Sequence, residues 1–305
     1  MYKFNDYDFL KSFYNEYRFK DNMVYSLDML RLTTDITLDE FSRLEFHLNA
    51  VYKDNIKSKY SCFDIASFKY NYLIEIGEDR TFWFGFFHNA EKPNSVLEIK
   101  YNFTVEFNPN KIKKSTILEF ILCSFSNWKI KSFDIACDIP MSIIDFTGYD
   151  KGRKKDVRIL TSSAEDRTVY IGRSNNRVKI YNKKLESSLD NLQSDLTRVE
   201  VSHQLDNYPV ENIMYYNCEI CFPDLYTNRY LYSFSDYKDK TLLAILYAVQ
   251  CGFDISLLSR SYKNKIKNLL EGGHRIRFCK TEVEYLLKVT LTHYFCHSKK
   301  QRIKG

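Results

Sequence analysis

Three stretches of the chain alternate between apolar and polar positions. In 129–139, Phe133, Ile135, Cys137 and Ile139 fall on one side, and Ser132, Asp134, Ala136 and Asp138 on the other. In 177–183, Val178 and Ile180 oppose Arg177, Lys179, Tyr181 and Lys183. In 197–205, Val199, Val201, His203 and Leu205 oppose Arg198, Glu200, Ser202 and Gln204. A two-residue period is that of a strand with one buried face. Each stretch therefore predicts a strand with one face for the core and one that carries charge.

The remaining pattern extends this picture. Runs rich in Phe, Tyr, Ile and Val predict strands at 23–34, 67–76, 80–88, 95–107, 156–162 and 168–172. Helical spacing appears at 7–19, at 37–48 behind a Thr37 N-cap, at 115–126 behind a Ser/Thr start, and at 184–192. A basic loop covers 151–155. This order predicts an α+β fold with a central, largely antiparallel sheet and flanking helices. LDMLRLTTD in the first half faintly echoes FDIACDI in the second, as a degenerate duplication would.

Beyond Pro209 the character becomes helical, at 241–251, 255–270 and 281–297, before a basic tail at 298–305. The first two helices are joined by Gly252-Phe253-Asp254, which fits a helix-turn-helix. Arg260, Lys263, Lys265 and Lys267 lie on the exposed face of the second helix and, with Arg177 in the 177–183 stretch, are candidate DNA contacts. Three regions result: an N-terminal α+β region (1–127), a catalytic α+β region (128–215) continuous with the same sheet, and a helical C-terminal DNA-binding region (216–305).

Composition changes little in this picture. With 305 residues, 44% of them hydrophobic, the chain can bury a sizeable core. The formal charge of +6 is compatible with a polyanionic partner. The eight cysteines show no disulfide-rich rhythm, and the N-terminus reads as no signal peptide, so a reducing cytoplasm is expected. No apolar run reaches the ~18 residues needed to span a bilayer.

The candidate chemistry lies on the charged strand faces. A phenol between ammonium groups suits attack on a phosphodiester, because cations favour the phenolate and neutralise phosphate charge. That makes Tyr181 the candidate nucleophile, with Lys179 and Lys183 beside it and Tyr170 next in line. Carboxylates near a phosphate repel it unless a divalent cation intervenes, and Mg²⁺ or Mn²⁺ prefers oxygen ligands. Asp134 and Asp138 are four strand residues apart, about 13 Å at ~3.3 Å per residue. One of them with Glu200 is therefore expected to bind the ion, the other to support it or to pair with Arg or Lys.

These residues sit in a recognisable order. Asp134-Ile135-Ala136-Cys137-Asp138, Tyr170-Ile171-Gly172, Lys179-Ile180-Tyr181-Asn182-Lys183 with Glu186, and Arg198-Val199-Glu200 together resemble the Rep_trans family. These are rolling-circle replication initiators of Gram-positive plasmids, with related transposon and phage proteins. The motifs cover roughly 130–205. Lys179 stands where the family more usually has Arg, which keeps the charge but loses the bidentate fork.

The resemblance implies transesterification by Tyr181, through a 5′-phosphotyrosyl intermediate, at a nick site in a hairpin or single strand of supercoiled plasmid origin DNA. It implies that Asp134, Asp138 and Glu200 belong to the metal-dependent site, while Lys179, Lys183 and Arg198 help hold the phosphate. It also implies a homodimer and a recruited replicative helicase. Two other readings stay open: a relaxase for conjugative mobilisation of a plasmid or transposon, and an origin-binding regulator that does not cut.

Other motifs point elsewhere or nowhere. Cys218 and Cys221 form a CxxC, and His293 and His297 an HxxxH, but more than seventy residues separate the pairs, so buried thiols are expected rather than zinc. There is no phosphate-binding P-loop and no pair of histidines flanking one apolar residue. Gly272-Gly273 reads as a helix stop.

Overall fold

The computed structural model describes residues 23–58, 70–77, 80–87, 102–112, 115–149, 157–161, 163, 166–172, 177–186, 195–227, 240–250, 255–271, 274–276 and 278–301. The fold is α+β. Its strands are β1 (Val24–Thr34), β2 (Ile56–Ser58), β3 (Tyr70–Glu75), β4 (Thr81–Phe86), β5 (Phe103–Phe107), β6 (Lys129–Ile139), β7 (Phe146–Tyr149), β8 (Val157–Thr161), β9 (Arg167–Ile171), β10 (Val178–Asn182), β11 (Thr197–Pro209), β12 (Asp224–Thr227) and β13 (His274–Arg275). Ten of them form one sheet in the order β2-β3-β4-β5-β1-β6-β11-β10-β9-β8, every pairing antiparallel. The central β1–β6 pair has the same strand order on either side: the last strand of each half lies next to its first, and the others follow outward in reverse.

The helices are α1 (Leu38–Val51), α2 (Thr116–Ser124), a single turn α3 (Lys183–Glu186), α4 (Lys240–Gln250), α5 (Arg260–Glu271) and α6 (Lys280–Gln301). The predicted caps form. Thr37 accepts from the Glu40 N–H while the Glu40 carboxylate accepts from the Thr37 N–H, a reciprocal capping box. The Ser115 hydroxyl accepts from the Leu118 N–H. Phe41, Leu44 and Leu48 recur at helical spacing and are buried, Phe41 stacking on Phe86 at 4.3 Å. The long α6 packs against α2 and β1, and its Tyr294 hydroxyl bonds the Ile112 carbonyl.

One face of the sheet carries the core. Leu27, Leu30, Leu32, Ile130, Phe133, Ile135, Cys137, Val178, Val199 and Val201 are almost completely buried there. The central strands do not alternate regularly, however. Between Leu27 and Leu30 on β1, and between Ile130 and Phe133 on β6, the register slips by one residue. Each slip leaves an extra residue, Asp28 on β1 and Lys131 on β6. A bulge of this kind puts two consecutive side chains on the same side, so Asp28 and Lys131 both join the polar face.

Three predicted elements differ in extent, and one sheet was not predicted. The helix expected at 255–270 begins only at Arg260, behind a separate 3₁₀ turn at Ile255–Leu257. The strand at 197–205 continues to Pro209. Within 184–192 the described helix is only the turn to Glu186. A second, three-stranded antiparallel sheet, β13-β12-β7, was not expected at all. The helix at 7–19, the loop 151–155, the Gly252–Asp254 turn, Gly272-Gly273 and the end of the basic tail lie outside the described residues. No helix among the described residues is long and apolar enough to cross a membrane.

Candidate active site

The polar face of β10, β11, β6 and β1 gathers the predicted residues in an order set by strand register. Tyr181 lies directly opposite Arg198, Lys179 opposite Glu200, Arg198 opposite Asp138, Glu200 opposite Ala136, and Ser202 opposite Asp134. On β9, Tyr170 is opposite Lys179.

Tyr181 donates its hydroxyl to Glu200 Oε1 at 2.5 Å. The Glu200 side chain is 25% exposed, and its other oxygen lies 4.0 Å from Lys179 Nζ. Tyr181 is only 4% exposed, although it is no part of the hydrophobic core cluster. Lysines cover its ring: Lys179 Nζ stands 3.8 Å from the centroid and Lys183 Nζ 5.8 Å. Both ammonium groups thus stand over the ring face.

Asp134 lies close to Glu200. Burial, foremost, and the negative charges of Glu200 and Glu106 hold its carboxyl above the usual carboxylate range, against a hydrogen bond from Ser202 and the charge of Arg31. Two carboxylates in such proximity repel each other, and a hard divalent cation relieves that repulsion. Mg²⁺ or Mn²⁺, which binds through one or two carboxylates and keeps several waters, would use these two. Among the described residues no group of three or more His, Cys, Asp and Glu lies close enough together to hold a metal.

Asp138 and Arg198 form a different unit. Arg198 Nε and Nη2 bind the two Asp138 oxygens at 2.6 and 2.7 Å, and Nη1 binds Asp28 Oδ2 at 2.8 Å. Arg198 is thus anchored to two carboxylates on neighbouring strands. Asp138, offered by the sequence as a metal ligand, is engaged by this guanidinium. Asp28 was missed by sequence reasoning. Its Oδ1 also accepts from Asn110 Nδ2 at 2.9 Å.

The remaining candidates lie further out. The Arg177 guanidinium sits 5.3 Å from the Tyr170 ring centroid. Gly172, which ends the Tyr-Ile-Gly string, has φ 83°, a conformation that explains glycine there. On α5, Arg260 and Lys265 are exposed and Lys263 half-buried, with Lys263 Nζ bonded to the Ser256 carbonyl at 3.2 Å; the Lys267 side chain is outside the described residues. Cys218 is buried as expected, but Cys221 is exposed. Cys218 N–H bonds Glu284 on α6, nine residues before His293, so at 1.5 Å per residue the cysteine and histidine pairs are held roughly 13 Å apart along that helix.

No family model matches the chain, and no curated protein matches it. Among solved structures, the rolling circle replication initiator protein from Geobacillus stearothermophilus aligns over 85% of this chain and 99% of its own, at 12% identity and a TM-score of 0.37. A likeness this slight carries no argument.

Proposed function

We propose that this protein is a plasmid rolling-circle replication initiator that nicks and rejoins origin DNA by transesterification through Tyr181. The observation that carries this reading is the Tyr181–Glu200 hydrogen bond beneath two lysines, on strands whose motifs resemble the Rep_trans family.

In the proposed reaction the Tyr181 oxygen attacks the scissile phosphorus and the phenolic proton passes to Glu200. The P–O3′ bond breaks, the 3′ oxygen leaves and takes up a proton, and the 5′-phosphate remains on Tyr181. The phosphotyrosyl ester keeps the free energy of the phosphodiester, so the 3′-OH can attack it in reverse and reclose the strand. Lys179 and Lys183 move from the ring face to the phosphate oxygens, where their charge is worth more as negative charge develops. Arg198, held by Asp138 and Asp28, fixes β11 against β6 and β1, so that Glu200 meets the phenol.

Glu200 and Asp134 would hold a divalent cation, which would supply charge neutralisation at the phosphate when bound. The α5 residues Arg260, Lys263, Lys265 and Lys267 would contact duplex flanking the nick. A homodimer, a recruited replicative helicase and a cytoplasmic location belong to this reading.

The test is incubation of the protein with supercoiled origin DNA and Mg²⁺ or Mn²⁺. Nicked circles and a denaturation-resistant protein–DNA adduct that maps to Tyr181 are expected. Stable binding with no adduct would identify a regulator that does not cut.

A further inference from the structure

The polar face continues past Asp134, away from Tyr181, into a basic pair that the proposed reaction does not use. Arg31 on β1 is paired with Glu106 on β5, and their side chains are 35% and 24% exposed. Beside them stands Lys131, the residue that the β6 bulge moves onto this face. β11 is irregular at the same level, its register slipping between Gln204 and Tyr208. Among the described residues no hydrogen bond or ion pair reaches the Lys131 ammonium. Burial and the neighbouring charge of Arg31 push its proton affinity below the ordinary lysine value, against the pull of Glu106.

A half-buried lysine with no ion-pair partner among the described residues, beside an arginine held by a single carboxylate, is an arrangement that an anion stabilises. A bulge that removes a lysine from regular alternation is a common way to aim a side chain. Three strand spacings, roughly 14 Å, separate β10 from β1 across the sheet, and Lys131 lies a further roughly 20 Å along β6 from Asp138, the residue level with Tyr181. The face therefore presents lysines, then carboxylates, then a second basic pair.

We propose that Lys131 and Arg31 form a subsite for a backbone phosphate of the DNA strand, a few nucleotides from the bond that Tyr181 attacks. The subsite deepens the reading above and rests on it for the identity of the strand. Phosphate recognition here is independent of base sequence. Glu106 tempers it by holding Arg31.

The experiment measures binding of a labelled oligodeoxythymidine strand to the full-length protein over a range of salt. Lys131→Gln is expected to weaken binding several-fold and to lower the slope of log affinity against log salt by about 0.7, one phosphate contact on a single strand. Lys131→Arg is expected to restore both. Glu106→Gln, which frees Arg31, is expected to tighten binding. Unchanged affinity and slope in Lys131→Gln, or weaker binding in Glu106→Gln, overturns the subsite. Adduct formation is scored separately. An adduct through Tyr181 with no Lys131 effect sinks the subsite alone; a Lys131 effect with no adduct sinks the Tyr181 reading and leaves the subsite standing.

Discussion

Tyr181 bonds diagonally across its strand pair. Its directly opposed neighbour is Arg198, yet its hydroxyl reaches Glu200, the partner of Lys179. Arg198 is turned to Asp138 and Asp28 instead. The two ionic units on this face are thus divided, one around the phenol and one around the guanidinium. The predictions below follow from that division.

Tyr181→Phe keeps the ring beneath Lys179 and removes only the hydroxyl. Its adduct yield is expected to fall at least about a thousandfold, the scale for loss of a nucleophile, while oligonucleotide affinity stays within about twofold. Gel analysis of nicking and adduct, beside a binding titration, checks both. A variant that cuts normally would place the nucleophile elsewhere, with Tyr170 the next phenol along the face.

The Arg198 anchor predicts unequal costs. Asp138→Ala removes the bidentate partner of a half-buried guanidinium and is expected to cost about 3 kcal/mol or more. Asp28→Ala leaves that pair intact and is expected to cost about 1–2 kcal/mol. Arg198→Lys is expected to behave like a loss, because an ammonium cannot span both carboxylates. Urea unfolding of the three variants gives the order; equal costs for Asp28 and Asp138 would contradict it.

Asp134 sets a pH dependence with a definite sign. Its folded-state carboxyl titrates above the ordinary carboxylate range because of burial first, and then Glu200. The folded protein therefore binds the proton more tightly than the unfolded chain does. This contribution to stability is lost as pH rises from the ordinary carboxylate range through the raised value. Asp134→Asn is expected to remove that fall and to melt higher at neutral pH. Mn²⁺ is expected to raise the melting temperature of the native protein and to do so less in the variant. Thermal melts at stepped pH, with and without Mn²⁺, decide.

The cysteines should divide by environment. Burial pushes the Cys137 thiol up to about 12, so in the folded protein at neutral pH it is expected to resist alkylation. Cys221 is exposed and is expected to react first among the described cysteines. Mass spectrometry of partially alkylated, folded protein checks the order, and early label on Cys137 would contradict the packing around β6.

Much of the sheet is legible in the alternation of β6, β10 and β11, because a half-buried strand must write its two faces into every second residue. The caps at Thr37 and Ser115 are legible for the same local reason. The bulges are also written in the sequence, as a slip of phase. Core residues run 25, 27 and then 30, 32 on β1, and 130 and then 133, 135 on β6. A strict two-residue reading passes over the slip, so Asp28 and Lys131 go unnoticed. The cover over Tyr181 could not be read, because lysine stems fold over a ring only in three dimensions. β7, β12 and β13 are too short to build a period, and they exist only because they pair with one another.

The pairing of β1 with β6 has a practical result. Residues 1–127 and 128–215 contribute to one sheet, joined along its two middle strands, so cutting the chain between them would bare the whole length of both. A fragment that begins at residue 128 would keep Tyr181 and Glu200, lose Asp28, and expose an eleven-residue edge ready to recruit another chain. Attempts to express the phenol-bearing half by itself should yield aggregate, not a minimal nicking module.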